Sequence, residues 1–349
     1  MNYKQITVTL CSIFALISCS SRDDDGGGAN GCTTFGNGEY TLKIQDVATE
    51  LPAKVSVFFK VTDEDGNGVA GLNAGNFDIY ERGRNDDCFN SISSAESSAE
   101  ISNNAQTFRN TTFLVLDLSN SVLSTSLNEL KQASLGFIDG VMPDTPNASF
   151  NMGIYWFDGG EELNLLQPIT SSKTALEAAI NGSTSDISND ASTNLYGAIV
   201  KVTDLAKAEL SNLQSQEIFA AASVVVFTDG RDQAASFTEN QAQNAIDNAP
   251  EAISYYTIGL GSEIDEDVLE DFGTTASAFA QDATQLETVF NEVSQNVAGQ
   301  ANSFYLFEYC SPKRDGSGDS RLLIEVISGE NKGNAQTTFN AAGFAGGCQ

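Results

Sequence analysis

The sequence predicts an α/β fold: a doubly wound, mostly parallel sheet inserted in a small antiparallel β-sandwich formed by N- and C-terminal segments. Three observations lead there. Between residues 107 and 301, short strands that are apolar throughout, such as "TTFLVLD" and "SVVVFTDG", alternate with amphipathic helical stretches. That pattern belongs to a parallel sheet covered on both faces. The segments on either side, 39–106 and 302–349, read as strands and turns with no helical period. Finally, two buried strands stop abruptly at an acid, Asp117 and Asp229. In open α/β sheets that carboxyl end is where ligands bind.

The chain begins with "MNYKQITVTLCSIFALISCSSRDDDGGG". Lys4 precedes an apolar run from Ile6 to Ile17, too short to span a membrane comfortably. It reads as the h-region of a signal peptide over residues 1–18. "LISC" at 16–19 resembles the lipobox of bacterial lipoproteins. The resemblance implies cleavage before Cys19, a lipid on that cysteine and a place in the cell envelope as an outer-membrane lipoprotein. Residues 19–38 carry acids and glycines with almost nothing to bury, which predicts a flexible tether. Its acids are similar to those that direct some lipoproteins to the outer face of the outer membrane.

In 39–106, "KVSVFFKVTD" and "NFDIYERG" are predicted strands. Asp63, Asp65, Asn67 and Gly68 match the first half of an EF-hand loop, but the twelfth position is Ala74. A bidentate Glu is needed there, so a hairpin turn is expected instead. In 107–301, "SLNELKQASLGFIDGVM", "SSKTALEAAI", "NLYGAIVKVTDLAKAEL", "TENQAQNAID", "DEDVLEDFG" and "ATQLETVFNEVSQNV" are the expected helices. "FNMGIYWF", "ISYYTIGLG" and "SAFAQ" are further strands. In 302–349, "NSFYLFEYCS" and "RLLIEVIS" flank a long turn, and "AQTTFNAAGF" offers another strand.

Composition excludes several functions. Forty-seven acids against 17 Lys and Arg give a net charge of -30. Nucleic-acid binding through phosphates needs clustered cations, and such a surface is not drawn to anionic lipid. Divalent cations are attracted instead. Histidine is absent, which removes Ser-His-Asp systems and imidazole zinc sites. Beyond Cys11 and Cys19, the cysteines at 32, 88, 310 and 348 form no CxxC pair. In an exported chain they imply two disulfides. Of three pairings, Cys32–Cys88 with Cys310–Cys348 is favoured.

"FLVLDLSNS" places Ser119 and Ser121 two and four residues beyond Asp117. That spacing can turn both hydroxyls to one point, although cap residues at a strand-to-helix turn would look the same. If the strands ending at Asp117 and Asp229 are neighbours, two carboxylates share a crevice and need a positive charge between them. Carboxylates and hydroxyls are hard oxygen donors, suited to Mg²⁺, Mn²⁺ or Ca²⁺.

With "DLSNS", "DASTNLYGAI", "VVVFTDGRD" and "YYTIGLGSEIDEDVLEDF" in order, the middle of the chain resembles the von Willebrand factor type A domain. The resemblance implies a metal-ion-dependent adhesion site built from Asp117, Ser119, Ser121, Thr193 and Asp229, holding a divalent cation, foremost Mg²⁺. It departs from the family at 191–193, where "AST" stands for the commoner "GGT" or "SGT". It implies a surface lipoprotein that binds a protein or glycan partner, with the cation accepting an Asp or Glu of the ligand. An envelope assembly component using the same site is the alternative, and a hydrolase a distant third. Asp158, Glu161 and Glu162 are expected in a solvated loop, Tyr155 and Trp156 in the core. Specificity is expected from loops 118–124, 158–168, 184–194 and 230–240.

Overall fold

A computed structural model describes residues 32–36, 38–83, 85–93, 100–102, 108–313 and 318–345. The expected signal peptide and Cys19 lie outside the described residues. The first strands are β1 (Thr41–Glu50), β2 (Lys54–Thr62), β3 (Phe77–Arg82), β4 (Asn90–Ile92) and β5 (Glu100–Ser102). The middle runs β6 (Phe108–Asp117), α1 (Asn120–Thr125), α2 (Leu127–Val141), β7 (Phe150–Phe157), β8 (Asn164–Thr170), α3 (Lys173–Gly182), α4 (Leu195–Gln214) and β9 (Phe219–Thr228). It continues with α5 (Glu239–Asp247), β10 (Ile253–Leu260), α6 (Glu266–Phe272), β11 (Ala276–Ala280) and α7 (Leu286–Ala301). The chain closes with β12 (Phe304–Cys310), β13 (Asp319–Ser328) and β14 (Asn331–Asn340). Among the described residues no helix is long and apolar enough to cross a membrane.

The central sheet has the order β11-β10-β9-β6-β7-β8. Its pairs are parallel except β7–β8. Alternation along β6 explains why both faces are covered. Leu114 and Leu116 join the core beneath α2, α3 and α7. Phe113 and Val115 join the core beneath α4, α5 and α6. Strand order reverses between β6 and β9, because β7 lies on one side of β6 and β9 on the other. The crevice at their carboxyl ends is therefore the topological switch point.

β8 was not foreseen. "NLLQPIT" contains Pro168, which cannot donate to a ladder, and its pairing with β7 is irregular. A sheet edge tolerates both. Residues 164–168 of the expected specificity loop are therefore strand.

The antiparallel strands form two four-stranded sheets, β1-β2-β12-β5 and β14-β13-β3-β4, each drawing on both ends of the chain. Val55, Val57, Phe59 and Val61 of β2 alternate inward to meet Phe77, Ile79, Phe307 and Ile324. Full burial of each such side chain contributes about 1.5–3 kcal/mol. Phe58 points the other way, against Phe304 and the first residues of β6 and β9, Phe108 and Phe219. Ring centroids there lie 5.2–6.0 Å apart. This aromatic joint holds the sandwich against the amino ends of the parallel strands, so the carboxyl ends face away from it.

The 63–68 segment is a turn, as expected. Asp63 Oδ1 accepts from the backbone of Asp65 and Asn67, and Gly66 takes φ +84°. Cys32 and Cys88 are disulfide-bonded. Cys310 is also disulfide-bonded; Cys348, its expected partner, lies outside the described residues.

Candidate metal centre

Asp117 is the last residue of β6 and is fully buried. Its neighbour across the ladder is the end of β9, because Leu116 pairs with Phe227. Thr228 Oγ1 accordingly donates to Asp117 Oδ2 at 2.7 Å, and Ser119 N donates to Oδ1 at 2.9 Å. Leu118, itself buried, continues the ladder with its N–H on Phe157 O at 2.8 Å. The chain then turns into α1. Ser119 is the N-cap residue of that helix, yet its side chain makes no capping bond. Its hydroxyl instead lies 3.0 Å from Ser121 Oγ. Ser121 Oγ in turn donates to Asp229 Oδ1 at 3.0 Å.

Thr193 reaches the same point from the loop before α4. Its Oγ1 lies 3.5 Å from Asp117 Oδ2. Its backbone is clamped: Gln233 N donates to Thr193 O at 2.8 Å, and Asn194 N donates to Asp158 O at 2.9 Å. Asn194 caps α4 through Gly197 N and donates from Nδ2 to Gly160 O at 2.7 Å. Gly230 packs closely beside it: a Cβ there would sit 3.3 Å from Thr193 Oγ1, which would have to give by a few tenths of an ångström. The departure at 191–193 is accommodated by Asp190, whose Oδ1 accepts Ser192 N at 2.8 Å and whose carbonyl accepts Asn120 N at 2.7 Å.

The five predicted residues therefore come together in one hydrogen-bonded group at the switch point. Electrostatics show what the group lacks. Burial pushes the Asp117 carboxyl up to about 6, against hydrogen bonds from Thr228 and Ser119, with Asp229 adding repulsion. Asp229 is raised as well, chiefly by burial, with Glu263 adding repulsion. Among the described residues no Lys or Arg forms an ion pair with either. Two neighbouring carboxylates, one of them fully buried, favour a cation between them. The donors are all oxygen, so the set fits a hard divalent ion. Among the described residues no cluster of three or more Cys, Asp or Glu has metal-binding spacing. The three hydroxyls are thus integral to the donor set.

Thr228 was missed in the sequence. Its signal was present in "FTDG", one position before Asp229, but only the register of β6 on β9 gives it a role. Asp158 proves structural: Oδ1 accepts Gly160 N at 2.8 Å, and Oδ2 accepts Ser188 Oγ. Glu161 and Glu162 are exposed, as expected. Tyr155 and Trp156 are half-buried and pack against the two cores.

The sequence model of the von Willebrand factor type A domain matches residues 113–292, more than half of the chain. The chain therefore belongs to this family, whose domains commonly mediate metal-dependent adhesion and protein binding. Among solved structures it is similar to a von Willebrand factor type A protein from Catenulispora acidiphila. That match has 11% identity and TM-score 0.46, and covers 88% of this chain and 74% of the other. It is also similar to the manganese-loaded TRAP protein of Plasmodium vivax, with 11% identity and TM-score 0.42, covering 71% and 99%. A third is proximal thread matrix protein 1 of the mussel byssus with a zinc-occupied site, with 13% identity and TM-score 0.41, covering 60% and 49%. A comparison with curated proteins finds no match.

Proposed function

We propose that the chain is an outer-membrane lipoprotein, anchored through Cys19 and exposed at the surface, that captures a protein or glycan partner through a divalent cation. Asp117, Ser119, Ser121, Thr193 and Asp229 would hold the ion, foremost Mg²⁺. A bound ion supplies an electrophilic coordination position that an Asp or Glu of the partner fills. The chain's own residues do the rest. β6 and β9 fix the two carboxylates, Thr228 and Ser119 N orient Asp117, and the clamped Thr193 loop forms the opposite wall. The role is binding and not catalysis.

The observation that carries this reading is the fully buried Asp117, raised to about 6 beside a second carboxylate, with no Lys or Arg ion-paired to either among the described residues. A chain of charge -30 repels acidic partners. A local positive charge at this one crevice reverses that. The test is affinity capture from cells and matrix extracts in Mg²⁺, repeated in chelator and with Asp117→Ala. Capture that vanishes in both controls supports the reading. Capture that survives both contradicts it. A captured subunit of the same envelope would favour the assembly role.

A further inference from the structure

At the far end of the sandwich, opposite the aromatic joint, Arg82 and Arg321 stand directly across the β3–β13 ladder from each other. Like charges in that position are destabilising, and in a chain with 17 cations against 47 acids a carboxylate partner for each would be easy to supply. None is supplied. Among the described residues neither arginine forms an ion pair. Arg82 uses Nε on the carbonyl of Asp86 at 3.1 Å, which fixes its guanidinium plane; among the described residues its terminal nitrogens have no hydrogen-bond partner. Arg321 is exposed, and among the described residues its side chain has no hydrogen-bond partner.

The two arginines, Gly83, Asp86 and Asp319 line a cavity of about 180 Å³. Asp86 attracts Arg82 from nearby, but its carboxylate is bonded to Lys313 Nζ and Gly83 N, so Lys313 brings a third cation to the cavity. Asp319 is exposed. Gly83 keeps the floor open: a Cβ would meet Asp86 Oδ2 and Lys313 Nζ at 3.2 Å. Two planar guanidiniums with free donors match the oxygens of a tetrahedral oxyanion.

We propose that Arg82 and Arg321 form a binding site for a phosphate-type oxyanion. Two sources share that chemistry, a free phosphate and a phosphate of a bilayer headgroup. Position makes the second reachable, a step that rests on the proposed anchor. The disulfide at Cys32–Cys88 and the Phe35–Tyr80 ring contact, 4.6 Å between centroids, bring the N-terminal segment onto this sheet. Twelve residues separate Cys32 from Cys19, and a stretch of that length reaches at most roughly 40 Å. The rest of the acidic surface repels an anionic bilayer, so contact would be confined to this corner.

The test uses the full chain without lipid, in phosphate-free buffer. Inorganic phosphate should raise the melting temperature of the parent. The Arg82→Gln/Arg321→Gln double variant should lose at least tenfold in phosphate affinity while melting no lower than the parent when phosphate is absent. Cosedimentation with neutral phosphatidylcholine vesicles and with vesicles containing anionic phospholipid separates the sources. Arginine-dependent binding to the anionic vesicles assigns a headgroup, and phosphate binding without it assigns the free ion. If phosphate shifts neither protein and neither vesicle binds, or if parent and variant respond alike, the site is overturned. Mg²⁺-dependent partner capture at the opposite end reports separately on the metal reading.

Discussion

Asp117→Asn should make the metal-free protein more stable at neutral pH. The folded state raises the Asp117 carboxyl from 3.8 to about 6, chiefly through burial. That difference corresponds to about 3 kcal/mol. The sign follows from proton binding. The folded form holds this proton more tightly than the unfolded chain, so its contribution is fully present below pH 3.8 and is lost as pH rises through 6. Asn carries no charge and fits the same bonds. Its Oδ1 can accept Ser119 N as Asp117 Oδ1 does. Its Nδ2 can donate to Thr228 Oγ1, whose proton then turns to Gly230 O at 3.2 Å. The variant should therefore exceed the parent by about 3 kcal/mol at pH 7.5 in chelator, shrinking to about 1 kcal/mol at pH 4.5. Urea titration reports this through the single tryptophan, Trp156, which pairs with Leu116 beside the site. Saturating Mg²⁺ should reverse the order. The parent then gains about 4.1 kcal/mol at a thousandfold excess over Kd, and the variant gains nothing. A variant less stable than the parent at pH 7.5 in chelator, or a gap that does not change with pH, would refute the electrostatic argument.

Further outcomes are expected elsewhere. Thr228→Val removes the hydroxyl that donates to Asp117 and accepts from Gly230 N, so urea titration should show a loss of about 1–3 kcal/mol. Gly230→Ala crowds Thr193 Oγ1 and should weaken Mn²⁺ binding, read by calorimetry, while far-ultraviolet dichroism stays unchanged. Phe58→Ala empties the centre of the aromatic joint and should cost about 3–5 kcal/mol, with metal affinity at the opposite end preserved. Removing the Cys32–Cys88 bridge, whose cysteines are 56 residues apart, should cost about 4 kcal/mol by chain entropy, measured by urea titration of the Cys32→Ser/Cys88→Ser chain.

The sequence carried the parallel sheet because β6, β9 and β10 are apolar on both faces, a pattern that only two covering layers satisfy. It carried the carboxylates because an acid closing such a strand has few structural reasons to be there. Local pattern could not carry register. Thr228 becomes a partner of Asp117 only when Leu116 pairs with Phe227. The tight fit at Gly230 appears only when Thr193, 37 positions earlier in the sequence, packs against it. β8 was hidden by Pro168, which reads as a breaker unless the strand is known to lie at an edge. The facing pair Arg82 and Arg321 is likewise invisible before β3 and β13, 239 residues apart at that point, are aligned.

The most direct measurement is titration of the purified chain with Mn²⁺, followed by electron paramagnetic resonance, for the parent, Asp117→Ala and Asp229→Ala. One ion bound per parent chain, lost in each variant and displaced by Mg²⁺, is the predicted result. A parent that binds none, or variants that bind as the parent does, would show that the crevice between β6 and β9 is not a cation site.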